Sequence, residues 1–145
     1  MKFELKKKGN FSLSGDLIVL LRKNKKDHRK IKSIILKNKT NFGLIFNDNN
    51  FTLAVTDIIN SYPIFFNKKT KKFSFNARKV FTNEDKVNQT NLKEFICSGY
   101  NCEDRTIMNN IKKVQAGEYY FYNKKTDKLK KYIYYSYIPS FKKQK

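Results

Sequence analysis

Tryptophan is absent from this 145-residue chain, and histidine occurs once, at His28. No Ser/His/Asp set is marked out around that one imidazole, and two cysteines beside it leave no ligand cluster of zinc-site spacing. Cys97 and Cys102, separated by four residues, make no disulfide framework. Proline (2) and glycine (5) are too scarce for a linker or a collagen-like chain. No glycine-rich loop has the spacing that cradles a phosphate. Acidic residues number 12 against 32 basic ones. The longest apolar runs, at 17–21 and 133–135, fall far short of the roughly 20 residues of a membrane span. The first eight residues go straight into charge and carry no signal-peptide core. The expectation is a soluble, cytoplasmic protein with no membrane association, no cofactor and no metal.

Against these absences stands a large apolar content: 39% hydrophobic and 15% aromatic residues, with 13 Phe and 9 Tyr. That excludes a disordered chain, and the length suits one folded domain. The formal net charge is +20. Only Arg22, Arg29, Arg78 and Arg105 contribute arginine, so nearly all of that charge is lysine. Two readings follow. An AT-rich coding sequence raises Lys, Asn, Ile, Phe and Tyr together, with no selection for a basic surface. Alternatively, lysines with exposed Tyr and Phe form a nucleic-acid-binding module, in which aromatic stacking joins a cationic groove. Arginine, whose rigid fork suits phosphate and base recognition, is scarce for the second reading. Non-specific attraction of polyanions follows from the charge in either case. His28, in a run of charge, reads as a solvated loop residue.

Along the chain, residues 3–21 alternate loosely between turn clusters and read as short strands of a meander. Ile31, Ile34 and Ile35 in 29–38 have helical spacing, with Leu36 widening the apolar stripe. Short strands are predicted at 42–46, 51–55, 62–66 and 73–75, with turns at 47–50 and 67–72. Thr90 or Asn91 caps a helix carrying Leu92, Phe95 and Ile96, and Gly99 stops it. A second helical turn is predicted at 108–114, with Ile111 and Val114 inward. A last hairpin joins 118–122 to 129–135 around 123–127. The fold class is α+β, antiparallel sheet layers with a few short helices over residues 1–137. A basic tail, 138–145, frays. The predicted core comprises Phe42, Leu44, Phe46, Leu53, Val55, Phe65, Phe95, Ile111 and Phe121.

The run Asp57-Ile58-Ile59-Asn60-Ser61-Tyr62-Pro63-Ile64-Phe65-Phe66 follows the order Asp-Arg/His-x-Gly-x-x-Pro-Leu-Tyr-Tyr, with Ile58 at the basic position and Asn60 in the glycine's place. Leu92-Lys93-Glu94-Phe95-Ile96, then Gly99-Tyr100, match Leu-x-Glu-Phe-Leu and Gly-Tyr. Thr106 to Gly117 follows Thr-Leu-Phe-x-x-Ile-x-x-Leu-x-Pro-Gly, and an aromatic segment closes at 132–137. In this order and spacing, residues 53–137 resemble the glutaminase-type domain that opens asparagine synthetases and related class II glutamine amidotransferases. The resemblance implies part of an N-terminal-nucleophile amidotransferase fold and a role in amide formation, such as asparagine biosynthesis.

That family hydrolyses glutamine with a cysteine at the mature N-terminus, activated by its own α-amino group. Residue 2 is Lys2 here, and the family's Arg-Gly-Pro-Asp and Asn-Gly-Glu segments have no match. Cys97, beside Phe95 and Ile96, reads as a buried structural thiol. Cys102 lies near Glu103 and Asp104, whose charges suppress the thiolate. The expectation is therefore a degenerate domain with no catalytic residues, glutaminase-inactive by itself. It would dock on an ATP-pyrophosphatase-type synthetase subunit or domain. Asp57, Asn60, Pro63 and Gly117 have turn and strand-start roles; Gly99 and Tyr100 complete the matching positions. The partner surface is placed on the closing segment. There, alternation puts Tyr132, Tyr134 and Ser136 on one side and Ile133, Tyr135 and Tyr137 on the other.

Overall fold

The computed structural model describes residues 2–7, 27–37 and 41–137. The expected meander beyond residue 7 and the basic tail at 138–145 lie outside the described residues. Strand β1 (Lys2–Lys7) is antiparallel to β2 (Phe42–Asn47), which turns through Asp48–Asn50 into β3 (Phe51–Thr56). β7 (Glu118–Asn123) pairs with the far side of β3, and β8 (Lys128–Ile133) closes the sheet in the order β1-β2-β3-β7-β8. A smaller antiparallel sheet, β5-β4-β6, is built from β4 (Phe65–Asn67), β5 (Phe73–Ser74) and β6 (Ile111–Lys113). Helix α1 (His28–Leu36) precedes β2, and α2 (Gln89–Ser98) lies between β5 and β6, after a 3-10 turn at Ala77–Lys79. The class is α+β with antiparallel sheets.

Alternation along the strands makes the five-stranded sheet two-faced. Phe42, Leu44, Phe46, Leu53, Val55 and Tyr119 point to one side, where they pack with Ile31 and Ile35 of α1. Ile45, Ala54 and Tyr120 point to the other and meet Ile64, Phe66 and Val114 around the small sheet. The result is three layers: helix, large sheet, small sheet. Both faces of β3 are buried throughout, Thr52 and Thr56 included.

Local chemistry sets the ends of these elements. The Asp27 carboxylate accepts from the Arg29 and Lys30 amides and starts α1. His28 is therefore a helix residue, not a loop residue. Asn88, not Thr90 or Asn91, caps α2, accepting from the Asn91 amide at 2.9 Å. Gly99, at φ +77°, ends it. In the β4–β5 turn the Asn67 side chain accepts from Lys69 and Thr70, and Lys71 takes φ +56°.

Other expectations also need correction. Residues 108–114 form no helix: Ile111–Lys113 is strand β6, in register with β4. The Thr106 hydroxyl, donating to the Ile111 carbonyl, and the Asn110 side chain, donating to Asp85, hold the approach to it as a bend, and a three-residue spacing of apolar side chains does not separate helix from strand over so short a run. The strand expected at 62–66 begins only at Phe65, because Pro63 has no amide to give a ladder. Phe95 is 45% exposed rather than core, and Leu36 is likewise exposed, since no layer among the described residues covers those faces of α2 and α1. Phe65 and Phe121 are half-buried; the rest of the predicted core is buried.

Candidate functional site

The positions that carry the family resemblance fall into two groups. Asp57 and Asn60 meet Gly117, distant from them in the chain, at one end of the large sheet. The buried Asp57 carboxylate takes the Phe42 amide on Oδ2 at 2.8 Å, and the Ile59 and Ser61 amides on Oδ1 at 3.0 Å each. It thus ties the start of β2 to the turn that follows β3. The Asp57 carbonyl accepts from the Gly117 amide at 2.9 Å, and Asn60 Nδ2 donates to the Val114 carbonyl at 3.2 Å. Asn60 has φ +56° and Gly117 φ +69°, the left-handed backbone that both residue types tolerate. Pro63 is exposed and takes no part in this knot.

The closing segment is fastened to the same knot. The Gly117 carbonyl accepts from the amides of Tyr134 and Tyr135, and the Tyr134 hydroxyl donates to the Thr56 carbonyl. Burial, and after it the charge of Asp57, raises the Tyr134 phenol above its ordinary value. Tyr132 stacks on Tyr119 at 4.9 Å between ring centres. Tyr132 and Tyr134 thus serve the core. Ile133 (60%), Tyr135 (37%) and Tyr137 (77%) are exposed, a contiguous apolar set on the opposite side.

Gly99 and Tyr100 do not join the knot. They line a groove between α2 and the small sheet, with a volume of about 710 Å³, whose walls include Phe65, Phe81, Phe95, Ile107 and Met108. A second cavity of about 590 Å³ carries Lys71, Lys72, Lys79 and Lys124 beside Glu4. Lysine is so abundant that four around one cavity carry no signal.

Both cysteines are free and exposed; Cys97 is not the buried structural thiol expected, because the face of α2 that carries it is open to solvent. The Cys102 thiol is pushed up, first by its hydrogen bond to Glu94, then by burial and by the Glu94 and Glu103 charges. The Glu94 carboxyl is held down by the Asn101 side chain and Cys102, and it grips Arg105 at 3.1 Å. A thiol facing a carboxylate is a poor nucleophile. Among the described residues, no group of His, Cys, Asp or Glu could hold a metal ion, and no helix is long and apolar enough to cross a membrane. No family model matches the chain, and no curated protein matches it either.

Sequence reasoning missed a buried polar cluster at Asp85. Its Oδ2 accepts from Asn67 Nδ2 and from the Thr82 amide and hydroxyl, and its Oδ1 accepts from Asn110 Nδ2, all within 2.9 Å. Burial pushes this carboxyl up, but the bonds from Asn110, Thr82 and Asn67 together outweigh it and hold it below the ordinary value. A carboxyl depressed on folding contributes stability above its unfolded pKa and loses it as pH falls through the folded one. In acid titrations followed by circular dichroism, the wild type should therefore lose more stability on going from about pH 5 to pH 3 than Asp85→Asn does. Equal slopes would show that Asp85 is protonated alike in both states.

Proposed function

We propose that the chain is an asparagine synthetase-like, glutamine amidotransferase-type domain that has lost glutaminase activity. In this reading it is a cytoplasmic docking or structural partner of an ATP-dependent amide-forming synthetase domain. The observation that carries the reading is the meeting of its two motif halves. Asp57 and Asn60 come from one half, Val114 and Gly117 from the other, and they bond to each other directly. Residues from the two matching stretches are thus neighbours in space, Asp57 and Gly117 standing just beyond the paired ends of β3 and β7. The two antiparallel sheet layers suit the same family. The two thiols support the loss of activity: Cys102 faces Glu94, and neither cysteine bonds to a histidine among the described residues.

The docking surface is Ile133, Tyr135 and Tyr137, a strip of large apolar side chains with exposed Lys131 on the same side of the strand. An apolar centre with a charged rim is the composition of an interface. The nucleic-acid alternative has less behind it. Phe46, Phe51, Phe66, Tyr119 and Tyr120 pack on other aromatic rings inside the layers, so these rings offer no free stacking platform.

The test is co-elution in gel filtration with a synthetase-type subunit from the same source, alongside an ammonia assay with glutamine. Tyr135→Ser/Tyr137→Ser should keep its melting transition and abolish co-elution. Tyr132→Ser/Tyr134→Ser should unfold the domain. Neither protein preparation should release ammonia without the partner. Ammonia release that a thiol alkylator abolishes, or a Tyr135→Ser/Tyr137→Ser variant that still co-elutes, overturns the proposal.

A further inference from the structure

The groove beside α2 has a composition that the coding bias does not produce. Its volume, about 710 Å³, falls among small-molecule sites of about 300–1,000 Å³. Phe65, Phe95 and Tyr100 make apolar walls, and the charged residues in its lining are Arg78, Arg105 and Lys113, with no Asp or Glu. Abundant lysine accounts for Lys113. It does not account for the arginines, because two of the four in the whole chain line this one groove.

The three cations are not equivalent. Arg105 is held by Glu94 at 3.1 Å, and Lys113 Nζ donates to the Asn101 carbonyl at 3.3 Å. The Arg78 guanidinium has no hydrogen bond or ion pair to any described residue. Arg78 is the middle residue of the 3-10 turn at Ala77–Lys79, and the N-cap Asn76 side chain accepts from its amide at 2.9 Å. The groove therefore pairs an apolar body with one uncommitted guanidinium, and a guanidinium grips a carboxylate through two parallel N–H bonds.

We propose that this groove binds a small apolar carboxylate, its hydrocarbon or aromatic body against Phe65, Phe95 and Tyr100 and its head on Arg78. The proposal stands apart from the docking surface, since the groove shares no residue with the Asp57 knot or the closing strip.

Isothermal titration of the full chain with decanoate, decanol and decyltrimethylammonium, each below its aggregation threshold, tests it. Decanoate should bind at one site per chain, decanol at least tenfold more weakly, and the cation not measurably. Arg78→Ala should weaken decanoate about tenfold, which is 1.4 kcal/mol, while leaving the melting transition unchanged because the side chain is exposed. Phe95→Asp, also at a partly exposed position, should abolish binding. Equal affinity for decanol, an unaffected Arg78→Ala, or no decanoate binding overturns the proposal. So does a chain that sediments as a dimer, separates on Phe95→Asp and ignores decanoate, because a second copy would then be the occupant.

Discussion

Asp57→Ala is expected to lower the unfolding free energy by about 3–5 kcal/mol, since three amides lose their acceptor at about 1–3 kcal/mol each. The Phe42 amide is the most costly of the three. It lies at the buried start of β2, where water cannot take the place of Asp57 Oδ2, its acceptor at 2.8 Å. The Ile59 and Ser61 amides are partly buried and recover some bonding from water. Asp57→Asn keeps one oxygen but turns an NH₂ toward the remaining donors, so its loss should be about half as large. Urea titration followed by far-ultraviolet circular dichroism measures both; tyrosine fluorescence, in a chain without tryptophan, gives a second probe. A loss under about 1 kcal/mol for Asp57→Ala would mean that the turn rearranges to satisfy its own amides.

Gly117→Ala carries the other large effect. A Cβ at this position would collide with the Tyr135 carbonyl oxygen and lie 3.1 Å from the Tyr135 carbonyl carbon, both backbone atoms that cannot swing away. The backbone there is also left-handed, at φ +69°. Left-handed geometry alone costs an alanine about 1–2 kcal/mol, and the displaced strand end should bring the total to about 3 kcal/mol or more. Gly99→Ala is the control. Gly99 has φ +77°, but an alanine Cβ there would meet nothing within 4 Å, so it should cost only the conformational part. The difference between the two variants isolates the contact with the closing segment. Limited proteolysis should also cut Gly117→Ala, and not Gly99→Ala, near Tyr134 and Tyr135. Similar losses in both would place the whole cost in the backbone angle.

How much of this was legible in the residues depends on range. The hairpins around Asp48–Asn50 and 123–128 are local: turn residues sit between alternating apolar ones, and period and propensity agree. The cap at Gly99 is equally local. Asp57, Asn60 and Gly117 could be singled out by their order in the chain, but their mutual bonds are tertiary and no pattern announces them. The strand at Ile111–Lys113 failed as a prediction because Ile111 and Val114 satisfy either period, and pairing with β4 decided between them. Phe95 failed for a different reason. Its helix has an apolar stripe, yet no further layer covers it among the described residues, and a stripe in sequence does not reveal whether something packs on it. The signal that could have found the groove was the scarcity of arginine, which makes Arg78 and Arg105 conspicuous in a lysine-rich chain.

The pairing of β3 with β7 has a bearing on how the protein is made. These strands lie at the centre of the large sheet, yet Thr56 and Glu118, at their joined ends, are 62 residues apart in the chain. Everything in the small sheet and α2 must be synthesised between them. A nascent chain that has released β1, β2 and β3 but not residue 118 therefore holds a three-stranded sheet whose open edge is Phe51–Thr56, with Phe51, Leu53 and Val55 apolar on one face. Such an edge is a template for pairing with another chain. Non-local closure of this kind also slows folding, because the loop must be ordered before the pairing rewards it. The interval between the two strands is thus the period in which aggregation competes with completion of the sheet, and in which holding by a chaperone has the most to act on.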